Sequence, residues 1–166
     1  LEEYLNMKEV EIVGDNYFGS WVKSRIACRG IIVQDGKILL TYEPDNGQYM
    51  IPGGGLEEGE NEEECCIREM AEETGKVVEV SDCKLDIMEY YEDWMGHSKY
   101  FLCKIVGETK TNYTEQELAV KMETRWVSVD EAIEEFSKHE SYRATDEMRR
   151  GMYLREYTAL KELLGI

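Results

Sequence analysis

A mixed α/β fold, a three-layered α/β/α sandwich with an added C-terminal helix, is what the order of patterns along this chain predicts. Three observations carry that expectation. Short apolar runs before residue 52 and again between residues 77 and 127 read as strands. A sharply delimited amphipathic segment, Glu62 to Thr74, reads as a helix between them, and two further helical patterns close the chain. With 166 residues and 42% hydrophobic content, the chain can bury one substantial core and is too short for two ordinary domains. One domain over residues 1–166 is expected, with its core at about residues 25–137 and a helical extension at about residues 144–164.

Arg25 to Val33 and Lys37 to Tyr42 are predicted strands, joined through Gln34-Asp35-Gly36, where Asp-Gly is a hairpin signal. Asn46-Gly47 marks a loop, and Tyr49 to Ile51 leads into the turn Pro52-Gly53-Gly54-Gly55. The helix that follows has clear ends. Asn61 can cap its first turn, Glu64 can complete a capping box, and Gly75 can take the left-handed conformation past its end. Val77 to Val80, Leu85 to Tyr91, Lys99 to Val106 and Thr124 to Val127 are the next strand candidates. Ser128 with Glu131 predicts another capping box and a helix from about Val129 to Ser137. The last helix, about Asp146 to Leu164, places Met148, Met152, Leu160 and Leu163 along one side.

The chemistry concentrates on the first helix. Glu69, Glu72 and Glu73 stand at i, i+3 and i+4, so they share an arc of about 100°. Cys66, Ile67, Met70, Ala71 and Thr74 fall opposite and can face a core. Like charges at this spacing cost an isolated helix about 0.2–0.5 kcal/mol per pair, a cost that a bound cation would reverse. Three carboxylates behind a Gly-rich turn are a layout for holding divalent metal ions against a phosphate.

Composition narrows the partners. A formal charge of −17 argues against long nucleic acid, whose binding rests on many Lys and Arg contacts. A small phosphorylated ligand remains compatible, because divalent ions invert the local field. The five cysteines, an odd number without C-x-x-C spacing, argue against a disulfide framework and a structural zinc site. Cys65 lies at the edge of the carboxylate arc, where it could soften metal preference or simply be small. No apolar run reaches the length of a membrane span, and the N-terminus lacks a signal layout, so a cytoplasmic protein is expected.

Gly54, Glu60, Arg68, Glu69, Met70, Glu72, Glu73 and Gly75 fit the pattern G-x5-E-x7-R-E-U-x-E-E-x-G-U, where U is bulky and aliphatic. The segment resembles the signature box of the Nudix hydrolases. Lys76 departs from it at the last U, and Val77 or Val78 could supply that contact. The segments KILLTYEPDNGQYMIPGGGLEEGE and ETRWVSVDEA extend the likeness. The resemblance implies a Nudix α/β/α sandwich and a Mg²⁺-dependent pyrophosphohydrolase, MutT-like in its box, with Mn²⁺ as the substitute ion. It implies Glu69, Glu72 and Glu73 as metal ligands, with the backbone carbonyl of Gly53 as a further one. Arg68 would orient Glu69 or pair with Glu60 or Glu72, and Glu60 and Gly54 would brace the loop. The general base would be Glu69 or a later loop carboxylate, Glu117 or Glu115.

Substrate candidates lie outside the box. Trp94 and His97, near Tyr90, Tyr91 and Tyr100, could stack a base or meet phosphate, or could belong to an ordinary hairpin. Tyr42 and Tyr49 flank the loop before the glycine turn. Arg143, Arg149, Arg150 and Arg155 could reach a substrate phosphate or neutralise surface glutamates. The expected substrate is a small nucleotide derivative in which a nucleoside diphosphate is linked to another group. A nucleoside triphosphate or oxidised-nucleotide pyrophosphatase is the first reading, and an ADP-ribose or nucleotide-sugar pyrophosphatase the second. A noncatalytic nucleotide sensor of the same fold is the alternative from another class. A homodimer is compatible with the apolar side of the last helix.

Overall fold

Asp35 and Gly36 both hold positive φ, 51° and 75°, the type I′ geometry whose twist matches that of the flanking strands. This turn joins β3 (Val33–Gln34) to β4 (Lys37–Glu43), pairing Val33 with Ile38. The computed structural model describes residues 7–166. Around that hairpin run β1 (Lys8–Val13), β2 (Lys23–Ile31), β5 (Gln48–Met50) and β6 (Gly53–Gly55). Helix α1 (Glu62–Thr74) follows, then β7 (Lys76–Tyr91), β8 (Trp94–Glu108), the short α2 (Glu115–Ala119) and β9 (Glu123–Ser128). The chain ends with α3 (Val129–Phe136), a 3₁₀ segment Ser137–Tyr142, and α4 (Glu147–Leu164).

The strands form two sheets. The larger has the order β1-β7-β8-β2-β6, with β1/β7 and β2/β8 parallel and β7/β8 and β2/β6 antiparallel. The smaller has β3, β5 and β9 arranged about β4. Strand alternation sends neighbouring residues to opposite faces. Cys28, Leu39 and Phe101 thus meet Cys65, Cys66 and Met70 of α1 in one buried cluster. Ile31, Leu40 and Tyr100 meet Phe136 of α3 and Tyr153 and Leu160 of α4 in the other. Helices on both faces of mixed strands give the expected layers. Among the described residues, no helix is long and apolar enough to cross a membrane.

Several local expectations change. The two strands expected over 77–80 and 85–91 are one 16-residue strand, β7, whose register shifts between Val80 and Leu85. A bulge there absorbs the break in alternation that the sequence shows. β1 was not anticipated, because KEVEIV has only three apolar residues and lies on a sheet edge. Asn61 and Ser128 each accept from the N–H three residues on, but the reciprocal glutamate bond is absent from both. The complete capping box is instead Thr114–Glu117, at the start of α2. On α1, Cys65 is fully buried while Ile67 is 37% exposed. The helix is rolled toward the glycine turn, where the Cys65 thiol meets the Gly54 carbonyl at 3.5 Å. On α4, Met152 and Leu160 are buried as expected, but Met148 is exposed and Arg150, Arg155 and Glu156 are buried as well.

Candidate active site

Helix α1 is held at both ends. The Asn61 side chain accepts from the Glu64 N–H at 2.8 Å, and Gly75 closes the other end at φ 72°. Its last turn is tied down from outside, since Asn112 N–H donates to the Glu72 carbonyl at 2.8 Å and the Tyr113 hydroxyl to the Glu73 carbonyl at 3.1 Å. Glu69, Glu72 and Glu73 therefore project from a fixed backbone.

The glycine turn meets that face closely. β6 pairs with β2, and a Cβ on Gly53 would stand 2.3 Å from the Cys28 carbonyl oxygen. A Cβ on Gly54 would stand 2.4 Å from the Glu69 carboxyl carbon. Only glycine leaves room for that carboxylate. Glu73 reaches the same turn, its Oε2 accepting from the Gly53 N–H at 3.0 Å.

Arg68 binds the face together. Its Nε and Nη2 donate to Glu60 at 3.0 and 2.7 Å, and Nη1 donates to Glu69 at 2.8 Å and Glu72 at 3.2 Å. Nη2 also donates to the Gly55 carbonyl at 2.9 Å. The planar fork thus fixes loop and helix at once. The hydrogen bond from Arg68 pulls the Glu60 carboxyl down to about 2. Glu60 also accepts from the Glu57 N–H at 2.8 Å, which braces the loop.

The other carboxylates experience the opposite effect. Burial raises Glu69 despite Arg68, and burial pushes Glu73 up to about 9, opposed by the Gly53 N–H and reinforced by Glu69 and Glu117. Glu117 comes from α2, where its carboxylate also accepts from the Thr114 N–H at 2.8 Å. A desolvated group of hard oxygens, repelling one another, suits a divalent cation such as Mg²⁺. Among the described residues no three His, Cys, Asp or Glu side chains already converge as a coordination sphere; Arg68 bridges Glu69 and Glu72.

Gly53 also lines a cavity of about 380 Å³ between β2, β8 and α4. Trp94 and His97 are on its wall. Trp94 stacks on Tyr91, with centroids 5.8 Å apart and planes at 23°. His97 Nδ1 lies 2.9 Å from the Asp86 carboxylate, which fixes the ring. Tyr42 and Tyr49 lie elsewhere: they pack 4.5 Å apart, with the Arg125 guanidinium 3.7 Å over Tyr42, and neither lines the cavity. Of the C-terminal arginines, Arg149 and Arg155 line it, whereas Arg143 is at the surface, bonded to Asp15 and Glu140. Arg150 is buried against Glu147. Arg25, Arg29 and Ser98 are wall residues that the sequence reading passed over. The available signal was a charged residue, Arg29, between Cys28 and Gly30 in the buried second half of β2, which carries no other charge.

Residues 24–147 match the NUDIX domain. Over 87 residues the chain is 37% identical to an ADP-ribose pyrophosphatase of Methanocaldococcus jannaschii, covering 49% of this chain and 52% of that one. It is 31% identical over 74 residues to an RNA pyrophosphohydrolase of Dinoroseobacter shibae, covering 42% and 44%. The chain thus spans about half the length of these curated relatives. A NUDIX hydrolase from Nitrosomonas europaea shares the fold, with a TM-score of 0.57 at 22% identity over 87% of this chain and 96% of that one. A domain match over most of the chain, on a helix whose box residues converge with the glycine turn, makes this chain a member of the Nudix hydrolase family.

Proposed function

We propose that this protein hydrolyses the pyrophosphate bond of a nucleoside diphosphate linked to a second group, with Mg²⁺ as its ion and Mn²⁺ as the substitute. The observation that carries the reading is the meeting of α1 with the glycine turn, Glu73 on the Gly53 N–H and Glu69 against Gly54, with the Arg68 fork joining Glu69 to Glu72. Those three carboxylates would hold the ion, with the Gly53 carbonyl beside them. Bound there, it would neutralise phosphoryl charge and acidify a water.

The chain's own groups do the rest. Glu69 keeps one oxygen on Arg68, which holds its carboxylate toward the turn. Glu117 is the second candidate to take the proton from the attacking water, since it sits close enough to raise both Glu69 and Glu73. Arg68 is a positioning residue, acting through Glu60, Glu69 and Glu72. The similarity to an ADP-ribose pyrophosphatase and a cavity large enough for a sugar favour a nucleotide joined to a sugar over a nucleoside triphosphate.

Turnover with Mg²⁺ across nucleoside triphosphates, oxidised nucleotides, ADP-ribose, nucleotide sugars and dinucleoside polyphosphates tests this, with products resolved by chromatography. Selective hydrolysis that Glu72→Gln abolishes is the expected result. Activity retained by that variant at saturating Mg²⁺ would remove Glu72 from the ligand set. Gly54→Ala tests the geometry separately. Its methyl group must displace the Glu69 carboxylate, so kcat should fall about 10²-fold, as for a misplaced catalytic group, while circular dichroism stays unchanged.

A further inference from the structure

The cavity beside Gly53 has an unusual charge for so acidic a chain. Four guanidinium groups line it, from Arg25, Arg29, Arg149 and Arg155, against the carboxylates of Glu89 and Asp146. Both carboxylates are already committed. Glu89 accepts from Arg155 Nη1 at 2.9 Å and from the Tyr91 hydroxyl at 2.7 Å, and Asp146 caps α4 through the Arg149 N–H at 3.0 Å.

The arginines are not equally satisfied. Arg155 is 6% exposed, yet its Nη2 has no hydrogen-bond partner. Arg149 directs Nη1 and Nη2 to neutral acceptors, the carbonyls of Asn46 and Gly47 and the Tyr153 hydroxyl, and its buried Nε has none. Arg29, also 6% exposed, donates to Ser98 and the Ile51 carbonyl, both neutral, and burial first and the repulsion of Arg155 second lower its proton affinity, against the attraction of Glu156. A buried guanidinium N–H left unpaired is unfavourable, and an anion held in the cavity that these arginines line would offset their charge.

We propose that this cavity receives a phosphate monoester, making the preferred substrate a nucleoside diphosphate sugar that carries a further phosphate on one of its sugars. A phosphate fits because its oxygens accept from several guanidinium forks at once. The substrate assignment rests on the pyrophosphohydrolase reading above; the anion site does not.

The test compares kcat/KM for ADP-ribose, 2′-phospho-ADP-ribose and ADP-ribose 1″-phosphate, in the wild type and in an Arg25→Gln/Arg149→Gln double variant whose folding is checked by melting. Inorganic phosphate is titrated calorimetrically into both proteins without metal. One phosphorylated substrate should exceed ADP-ribose at least tenfold, the double variant should return that ratio toward one, and it should bind phosphate at least tenfold more weakly. A ratio near one in an active wild type overturns the proposal and leaves the hydrolase reading standing, even if free phosphate binds. If none of the three is hydrolysed, the titration decides. Saturable binding lost in the double variant supports the anion site while the hydrolase reading falls, and binding that is absent or independent of the arginines overturns the site.

Discussion

Glu73→Gln should reduce kcat by roughly 10³-fold, a loss of about 4 kcal/mol of transition-state stabilisation, while KM changes little and the fold is kept. The substitution preserves volume and the acceptor for the Gly53 N–H. It removes the charge that would hold the ion. Single-turnover hydrolysis at saturating Mg²⁺ measures the effect. A loss below tenfold would take Glu73 out of the ligand set.

The same variant should be more stable than the wild type when no metal is present. Glu73 is raised from 4.5 to about 9 by burial, so between those values the folded chain holds a proton that the unfolded chain has released. Stability then falls as pH rises from about 4.5 to 9. Glutamine resembles the neutral form and escapes that loss. Melting in EDTA at pH 8 should therefore show Glu73→Gln higher by on the order of 10 °C, since about 1.4 kcal/mol is lost per pH unit above 4.5 and each kcal/mol is about 2–4 °C for a chain of this size. At pH 4 the two proteins should melt together. Equal melting at both values would mean that the buried carboxylate is not strained, and the cost of assembling the site would have to lie elsewhere.

What could be read from the sequence follows from how local the determinants are. Asp35-Gly36, Asn61 and Gly75 fix their turns through bonds spanning a few residues, and each stands where the sequence places it. The facing of Glu69, Glu72 and Glu73 follows from helical spacing alone. The roll of α1 does not. Cys65 is buried and Ile67 exposed because of how the helix seats on Gly54, a contact set by tertiary packing. The cavity was less legible still. Trp94 and His97 reach it, but Tyr49 stands between two wall residues, Gln48 and Met50, and strand alternation turns it to the other face, onto its cross-strand partner Tyr42. Arg29 and Arg155 are 126 positions apart, and only the packing of α4 over β2 and β8 brings them to one wall. A helical wheel finds the buried apolar side of α4 in Met152 and Leu160, but not that α4 also buries Arg150, Arg155 and Glu156.

Arg155→Met should destabilise the protein by about 3–5 kcal/mol, the usual cost of removing one partner from a buried ion pair, and lower the melting temperature by roughly 10 °C. Arg155 donates Nη1 to Glu89 and Nε to Glu156, both at 2.9 Å, and all three residues are 6% exposed or less. The two carboxylates do not lose equally. Glu156 still accepts from the Ile51 N–H at 2.5 Å and from the Tyr100 hydroxyl, whereas Glu89 keeps only the Tyr91 hydroxyl. One gain opposes the loss, since Arg29 is freed from the repulsion of Arg155. The lower end of the range is therefore expected, and adding Glu89→Gln should restore part of it. Denaturant unfolding of the single and double variants measures both. A single-variant cost below about 1 kcal/mol, far under what a buried pair loses, would mean that the fold does not depend on this charge. The burial of Arg155 would then be explained by the anion its free N–H awaits.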